Sequence, residues 1–403
     1  MRTPLHRNWL GAARLPFWGG AGLLVAAFLG AALRAQPDAT DANHDAFAVQ
    51  RARTEHVTSR GKTVFYTNKW DLSGLPAYVP EQKVSGVIRM WGLNYLSDGL
   101  LAKYWEEGFR KYQPGVTFDL HLYTALTAFG GLDTGLADLA PCRKVTFDDL
   151  EGFERMFNHD PLEITMVTGS YDIPGWANAL GIFVNHRNPI DRLTFRQLDG
   201  ILGTERTGGY HGTTWHPEVA RGRDENIRTW GQAGLTGEWA DKPINVYGLN
   251  LRYHQQIQIE ERVFHGGDKW NERLREYANY AKPDGTMALA AHELMEDLGN
   301  DPYGIAYSGM QNKSPKTKVL ALAEKDGGPY VELTIENVRN RTYPLLGEEY
   351  WYLNRKPGQP VDPKLKEFLR YTLSREGQAE VMRDGKFLPL TADLVREQLR
   401  KLE

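Results

Sequence analysis

Short apolar runs alternate with amphipathic stretches from residue 87 onward. Residues 87–91, 116–123 and 162–167 have the composition and apolar alternation of strands. After the first of them, Ser97 can cap a helix whose apolar positions follow helical spacing: Leu100, Leu101, Tyr104, Trp105 and Phe109. A chain that alternates strand and helix forms a mostly parallel sheet with helices on both faces. The pattern therefore predicts an α/β fold.

Three further signals predict helix ends. Thr146 with Asp149, and Thr194 with Gln197, have the spacing of a capping box, in which two side chains satisfy the first free N–H groups of a helix. Near the C-terminus, Ser374 can cap a short helix that ends at Gly385. We therefore expect helices to begin immediately after Thr146, Thr194 and Ser374.

The first 35 residues follow a different pattern. Three arginines precede an apolar run at residues 19–33, and Ala35 follows it. This pattern is typical of a secretory signal, with Ala35 the expected last residue removed. The alternative is an uncleaved membrane anchor, but the run is shorter than the roughly 20 apolar residues that a spanning helix needs. Since no cysteine stands directly after the run, we expect a protein that is free in the periplasm rather than lipid-anchored.

Residues 36–83 are polar and lack sustained periodicity. We expect a flexible leader there, followed by a strap that crosses the core near residues 78–80.

The stretch at residues 204–241 is the least regular later part, rich in glycine, tryptophan and histidine. Its candidates for metal binding are His211, His216 and Glu218. Their spacing fits no zinc pattern, so we expect no metal there. We expect instead a surface insertion that three tryptophans pin to the fold: Trp215, Trp230 and Trp239.

Charge and cysteine content limit the partners. The 403-residue chain has a formal net charge of −3 and one cysteine, Cys142, so an internal disulfide is impossible. Removal of residues 1–35 deletes four arginines and no acid, which changes the charge from −3 to −7. An anionic ligand would therefore need local attraction at its site. No basic stripe indicates a nucleic-acid partner.

Five segments, taken in order, carry a resemblance to a known family. They are VIRMWGLNYLSDG (87–99), TGLADLAPCRK (134–144), GIFVNHRNPIDRLTFRQLDGIL (181–202), DPYGIAYSG (301–309) and LSREGQAEVMRDGKFLPL (373–390). In this order and spacing they resemble the periplasmic phosphate-binding proteins of ABC importers. The resemblance implies a type II periplasmic-binding-protein fold with two lobes. Each lobe would be a mostly parallel sheet flanked by helices, joined to the other by two hinge crossovers.

The resemblance also implies lobe boundaries. Lobe one would comprise residues 84–186 and 308–403, and lobe two residues 187–307 with the insertion 204–241. Because two crossovers make a hinge, we expect the lobes to close around a ligand.

Four loops follow strands at the edge where open α/β sheets bind ligands. In chain order they are residues 92–95, 123–127, 141–143 and 247–252. Helix N-termini at such loops present N–H groups that suit an oxyanion. The candidate ligand residues on these loops are Asn94, Tyr95, Thr124, Thr127, Arg143, Tyr247, Asn250 and Arg252. Arg143 is the first choice, because a guanidinium can hold two oxygens of an oxyanion at once. The alternative for Arg143 is a surface ion pair with Asp138 or Asp148.

The candidate loops depart from the family pattern: the first, second and fourth lack the serine-rich and glycine-rich stretches that are usual there, and the third differs at two positions. Arg143 stands where some family members place a carboxylate that accepts a phosphate proton, and Cys142 stands where a serine is common. Beside Arg143, Cys142 could have a lowered pKa, but no base or second cysteine accompanies it, and we expect a small lining residue. Phosphate is the first expectation for the ligand, with sulfate, a small carboxylate or an organophosphate as alternatives.

The family implies a monomer without cofactor that delivers its ligand to an ABC permease in the inner membrane. A second reading is a sensor or scaffold protein that keeps the fold with a degenerate site. A third is a phosphate-ester hydrolase drawing on Asp98, Glu106 and Glu107. We expect no catalysis, because the sequence lacks a Gly-x-Ser-x-Gly motif, a metal-ligand cluster and a P-loop.

Overall fold

The protein is represented by a computed structural model, which describes residues 51–52, 54–55, 59 and 61–403. The predicted signal segment, residues 1–35, and the first part of the predicted leader lie outside the described residues. Within these ranges, no helix is both long enough and apolar enough to cross a bilayer.

Between residue 85 and the C-terminus the structure contains eleven α-helices. They are α1 (Tyr95–Asp98), α2 (Leu101–Arg110), α3 (Thr127–Asp133), α4 (Phe147–Phe157), α5 (Phe195–Leu202), α6 (Gln255–Arg262), α7 (Ala290–Asn300), α8 (Ile335–Arg339), α9 (Pro363–Thr372), α10 (Arg375–Asp384) and α11 (Ala392–Arg400). The predicted starts of α4, α5 and α10 are confirmed, since Thr146, Thr194 and Ser374 each accept a hydrogen bond from the first turn. Gly385 ends α10 in the left-handed conformation, with a φ of 66°.

The helix predicted to begin at Ser97 begins later, so that prediction was wrong. Ser97 lies inside the single turn of α1, and its hydroxyl donates to the carbonyl oxygens of Asn94 and Leu122 instead of capping α2. The buried stripe of α2 is Leu101, Trp105, Gly108 and Phe109.

The same part of the chain contains sixteen strands. They are β1 (Ser85–Trp91), β2 (Gly115–His121), β3 (Ala140–Cys142), β4 (Leu162–Thr168), β5 (Leu180–Asn185), β6 (Arg192–Thr194), β7 (Gly209–His211), β8 (Thr214–His216), β9 (Asn245–Leu249), β10 (Arg275–Tyr277), β11 (Tyr280–Ala281), β12 (Met287–Ala288), β13 (Gly304–Gly309), β14 (Thr317–Val319), β15 (Ala321–Ala323) and β16 (Glu348–Leu353).

Two larger sheets organise these strands. In the first, β1 pairs in parallel with β2 and, through a Met90–Leu139 bridge, runs parallel to the segment entering β3. β16 then pairs antiparallel with both β3 and β4. The second sheet has the order β10–β9–β13–β5–β14. β9 is parallel to both β10 and β13, whereas β5 is antiparallel to both β13 and β14. The predicted two-lobed α/β architecture with mostly parallel sheets is confirmed.

The strand pairing bears on where the lobes divide. β5 and β14 both belong to the second sheet, although residues 180–186 and 308 onward were predicted to belong to lobe one. A predicted boundary at residue 186 therefore separates β5 from its partners. Boundaries near residues 179 and 346 keep each sheet whole, and we propose these in their place.

The chain crosses between the two sheets after β4 and again before β16, and these two crossovers lie side by side. The Gly169 N–H donates to the Gly347 carbonyl, and the Leu180 N–H donates to the Leu345 carbonyl, both at 2.9 Å. The carbonyl oxygen of Ala177 lies so close to Gly169 and Gly347 that a Cβ on either glycine would be only 1.9 Å from it. Glycine is therefore required at both positions for the crossovers to pack.

The segment before β1 is held by one buried carboxylate. Glu367 on α9 is fully buried and accepts a hydrogen bond from the Tyr78 hydroxyl at 2.6 Å. Its other oxygen accepts from the backbone N–H groups of Glu81 and Gln82. A buried carboxylate with several donors is well satisfied, so this contact fixes the segment against α9.

The tryptophans of the insertion differ in role. Trp230 is fully buried, and its indole N–H donates to the Tyr303 carbonyl. Trp239 packs edge-on against the Tyr303 ring at 5.6 Å. Trp215, in contrast, lies on the β7–β8 hairpin and is 45% exposed. Trp230 and Trp239 therefore anchor the insertion, whereas Trp215 does not.

Candidate functional site

A small cavity lies between the first sheet and α6, the helix that follows β9 of the second sheet. Its volume is about 40 Å³. The first sheet and the loop after β3 contribute Arg143, Lys144, Glu348, Glu349 and Tyr350. Helix α6 and the residue before it contribute His254, Ile257, Gln258, Glu261 and Arg262. The crossovers contribute Ala177 and Leu346. We call this the interlobe cavity.

A larger groove of about 630 Å³ lies elsewhere, around the start of α5 and residues 221–232 and 326–330. No residue of the first sheet lines it. Its charged side chains already pair with one another, since Arg196 lies 3.4 Å from Glu225 and 3.5 Å from Asp326. A site that a hinge opens and closes must be lined from both lobes, so the interlobe cavity is the better candidate.

Arg143 is the one predicted ligand residue that lines the interlobe cavity. Its side chain is 17% exposed, and its Nη1 donates to Asp149 at 3.2 Å and to the Lys144 carbonyl at 2.9 Å. The ion-pair partner is therefore Asp149, and not Asp138 or Asp148. Asp138 is held instead by Arg89, at 2.6 Å. A guanidinium carries five N–H groups, so two acceptors at one nitrogen leave capacity for a ligand.

Ion pairs cross the cavity between the lobes. Lys144 lies 2.9 Å from Glu163 in its own lobe and 3.8 Å from Glu261 on α6. Burial works against the charge of Lys144, but these two carboxylates hold its pKa above the ordinary value. Arg262 on α6 lies 2.9 Å from Glu348 on β16. The closed arrangement of the lobes is thus stabilised by charges from both sides.

An aromatic contact joins the lobes beside these ion pairs. The ring of Tyr210, on the insertion hairpin, packs against Phe147 at the start of α4 with centroids 4.4 Å apart. The insertion therefore contacts the helix that follows Arg143.

Glu349 is the most deeply buried acid of the interlobe cavity. It is 3% exposed, and its Oε2 is buried without a hydrogen-bond partner. Burial raises the pKa of Glu349 to about 8, which the attraction of Arg143 only partly offsets. At neutral pH this side chain is therefore mostly a neutral acid.

The first two candidate loops are held by local hydrogen bonds. The Asn94 side chain donates to the Asp98 carboxylate, and the backbone carbonyl of Asn94 accepts from the N–H of Ser97. Tyr95 is buried with its ring 4.9 Å from Trp176. The Thr127 hydroxyl donates to the Thr124 carbonyl at 2.8 Å.

The fourth candidate loop also turns on itself. The Tyr247 hydroxyl donates to Asp301 at 2.8 Å; burial, together with this bond, raises the pKa of Tyr247 to about 12. The Asn250 side chain accepts from the N–H of Arg252, whose own side chain is exposed. The cavity is lined by the residues that follow this loop, from His254 to Arg262, and not by the loop residues themselves.

Cys142 lies at the end of β3 and is 1% exposed. Burial raises the pKa of its thiol to about 12, which is the opposite of the lowering considered from its place beside Arg143. Since a thiol is nucleophilic only when ionised, Cys142 is a packing residue.

Sequence reasoning missed Glu261, Arg262, Glu348 and Glu349. One signal could have found the last two. They are consecutive acids that lead directly into the aromatic and apolar residues 350–353, which are typical of a buried strand, so at least one acid is expected to be buried. Among the residues that the structure describes, no cluster of three or more histidine, cysteine or carboxylate side chains is arranged to hold a metal ion.

The chain is similar to known proteins over most of its length. The model of the PBP superfamily domain matches residues 81–376. The phosphate-binding protein PstS of Pseudomonas aeruginosa strain PAO1 is 30% identical over 329 residues, which cover 81% of this chain and 90% of that protein. The PstS protein of strain UCBPP-PA14 matches to the same extent.

Solved structures similar to this one include PstS from Borrelia burgdorferi, at 15% identity and a TM-score of 0.48, covering 77% of this chain and 100% of that one. An ABC-type phosphate transport receptor from Vibrio cholerae matches at 15% identity and a TM-score of 0.45, covering 75% of this chain and 99% of that one. The family match spans most of the chain, and the sequence relatives match over nearly their full length. This chain therefore belongs to the PBP superfamily and, within it, to the family of the phosphate-binding protein PstS.

Proposed function

We propose that this protein captures inorganic phosphate in the interlobe cavity and delivers it to the permease of an ABC importer. The observation that carries the proposal is Arg143, a mostly buried guanidinium that lines a cavity between two hinged lobes. The PstS relatives are named for phosphate binding, and they match this chain over most of its length.

The charges around the cavity favour an anion. Three cations line it, Arg143, Lys144 and Arg262, against two carboxylates besides Glu349, which is mostly neutral at pH 7. The lining itself therefore favours an anion, although Asp149 and Glu163 pair with Arg143 and Lys144 from outside the lining and the chain as a whole is acidic. A partly buried guanidinium forms short, charge-assisted hydrogen bonds to an oxyanion, and exclusion of water by lobe closure strengthens them.

The interlobe ion pairs suit this function. Arg262 with Glu348, and Lys144 with Glu261, join the lobes when they are closed. A bound anion between Arg143 of lobe one and Arg262 of lobe two would add attraction across the same gap, so ligand binding favours the closed state. We propose that closure presents the loaded protein to its permease.

The remaining parts of the proposal concern place and chemistry. The apolar segment at residues 19–33 supports export to the periplasm with removal of residues 1–35. The chain is proposed to act as a monomer, without a cofactor and without turning over its ligand. Membership of a family of transport receptors supports a binding role rather than catalysis.

Calorimetric titration tests the ligand. The purified protein is unfolded, dialysed and refolded to remove carried-over ligand, and phosphate is then titrated into it. We expect one-to-one binding with a Kd of about 1 μM or lower. Sulfate is the matched control, and tighter binding of sulfate would reassign the ligand. Absence of binding for phosphate, sulfate, small carboxylates and phosphate esters would instead support a sensor or scaffold with a degenerate site.

A further inference from the structure

The Glu349 side chain lines the interlobe cavity but takes no part in the ion pairs that join the lobes. The Oε2 of Glu349 is buried without a hydrogen-bond partner, in a side chain that is 3% exposed and lines the cavity. A buried polar atom without a partner is costly, and proteins retain such atoms mainly where a ligand, water or ion completes them. Among the described residues, none supplies a hydrogen-bond partner to the Glu349 Oε2.

The neighbour of Glu349 in sequence shows the contrast. Glu348 accepts hydrogen bonds from Arg262 at 2.9 Å and from Arg341 at 2.6 Å. The Glu348 side chain is thus satisfied by two guanidiniums. Glu349 also lines the cavity, but it has no ion-pair partner within 4 Å among the described residues.

The charged and titratable groups around Glu349 come from three elements. The loop after β3 contributes Cys142, Arg143 and Lys144, with Asp149 behind Arg143; α6 and the residue before it contribute His254, Glu261 and Arg262; β16 itself contributes Glu348 and Tyr350. Of these, Arg143 is the cation whose attraction acts on Glu349, and burial outweighs it. Below about pH 8 the side chain consequently carries its proton.

We propose that Glu349 is a ligand residue that acts as a neutral acid, donating its carboxyl hydrogen to an oxygen of the bound anion while Arg143 holds other oxygens. The ligand class is then a dianionic oxyanion, such as dibasic phosphate, which needs donors on all sides. This assignment rests on the proposed function. It differs from a site in which a carboxylate accepts a proton from the ligand, because here the protein provides the hydrogen.

The assignment makes binding pH-dependent in one direction. A dianion beside Glu349 opposes its ionisation, so the complex binds the carboxyl proton more tightly than the free protein does. Above about pH 8, anion binding must therefore be accompanied by uptake of up to one proton, and affinity falls by up to about tenfold per pH unit. Lys144 stays charged in this range because its pKa is raised, and Cys142 stays neutral because its pKa is about 12.

The test is calorimetric titration of inorganic phosphate at about pH 8.5 and about pH 9.5, where phosphate itself stays dibasic, in buffers that differ in ionisation enthalpy. For the unaltered protein we expect affinity to fall by about tenfold, with uptake of up to one proton. Glu349→Gln keeps a donor that cannot ionise, so its affinity should stay constant with no proton uptake. Glu332→Gln, at an exposed position, is the matched control and should behave like the unaltered protein.

Two outcomes would overturn the assignment while leaving the proposed function standing: constant phosphate affinity in the unaltered protein across this range, or an equal decline in Glu349→Gln. Absence of phosphate binding at every pH would overturn both. The pH dependence of folding without ligand is a separate measurement. It distinguishes a folding defect of Glu349→Gln from a change in phosphate binding. Because the folded-state pKa of Glu349 is raised, the folding equilibrium constant should fall by about tenfold per pH unit between about pH 5.5 and pH 7.5, relative to that of Glu349→Gln.

Discussion

Arg143→Ala should weaken phosphate binding by about 100-fold or more. The substitution removes a charged group that is only 17% exposed and lines the cavity, so the anion loses its charge-assisted hydrogen bonds where water cannot fully replace them. Truncating one partner of such a pair typically costs about 2–5 kcal/mol. Calorimetric titration of phosphate at neutral pH measures the loss directly.

Two variants make the result specific. Arg155→Ala removes an equal charge from α4 of the same lobe, at a side chain that is 75% exposed and paired only with Glu151, and should leave affinity nearly unchanged. Arg143→Lys keeps the charge but loses the planar fork, so its affinity should lie between those of the other two. Equal affinities for Arg143→Ala and Arg155→Ala would show that Arg143 does not bind the anion.

Gly347→Ala should lower the free energy of unfolding by about 3 kcal/mol. The new Cβ would lie 1.9 Å from the Ala177 carbonyl oxygen, which is backbone and cannot turn away as a flexible side chain would. Gly347 also accepts the hydrogen bond of Gly169, so the clash separates the two crossovers. Urea denaturation followed by tryptophan fluorescence measures the change.

Gly152→Ala is the control for this substitution. Gly152 lies inside α4, where a Cβ would meet nothing within 4 Å. Alanine is the better helix former, so this variant should gain about 0.5–1 kcal/mol. If Gly347→Ala were as stable as the unaltered protein, the crossovers would not be as tightly packed as the structure places them.

The sequence predicts the architecture better than it predicts the site. The apolar strands and the capping boxes at Thr146 and Thr194 depend on local physical chemistry, and each was found where expected. The start of α2 was missed because Ser97 satisfies nearby carbonyl oxygens instead of a helix N-terminus. The predicted boundary at residue 186 placed β5 apart from its partners because its long-range pairing with β13 and β14 leaves no local signal.

The site is assembled by contacts that local patterns do not encode. Arg143 could be proposed from its place after a buried strand, and it does line the interlobe cavity. Glu261 and Arg262 are the last residues of an amphipathic helix, where charged residues are ordinarily solvated. Only the packing of the lobes brings Arg262 to Glu348 on β16 and Glu261 to Lys144. The role of Tyr247, Asn250 and Arg252 in ligand binding stays a prediction.

The central claim is that an anion binds between Arg143 and Glu349, and the most direct test is to locate one. Arsenate has the shape and charge of phosphate, and its arsenic atom scatters anomalously. Crystals grown with arsenate should show one strong anomalous peak in the interlobe cavity, within hydrogen-bond reach of the Arg143 guanidinium and the Glu349 carboxyl. A peak only outside this cavity, or none at an arsenate concentration that displaces phosphate in solution, would contradict the account.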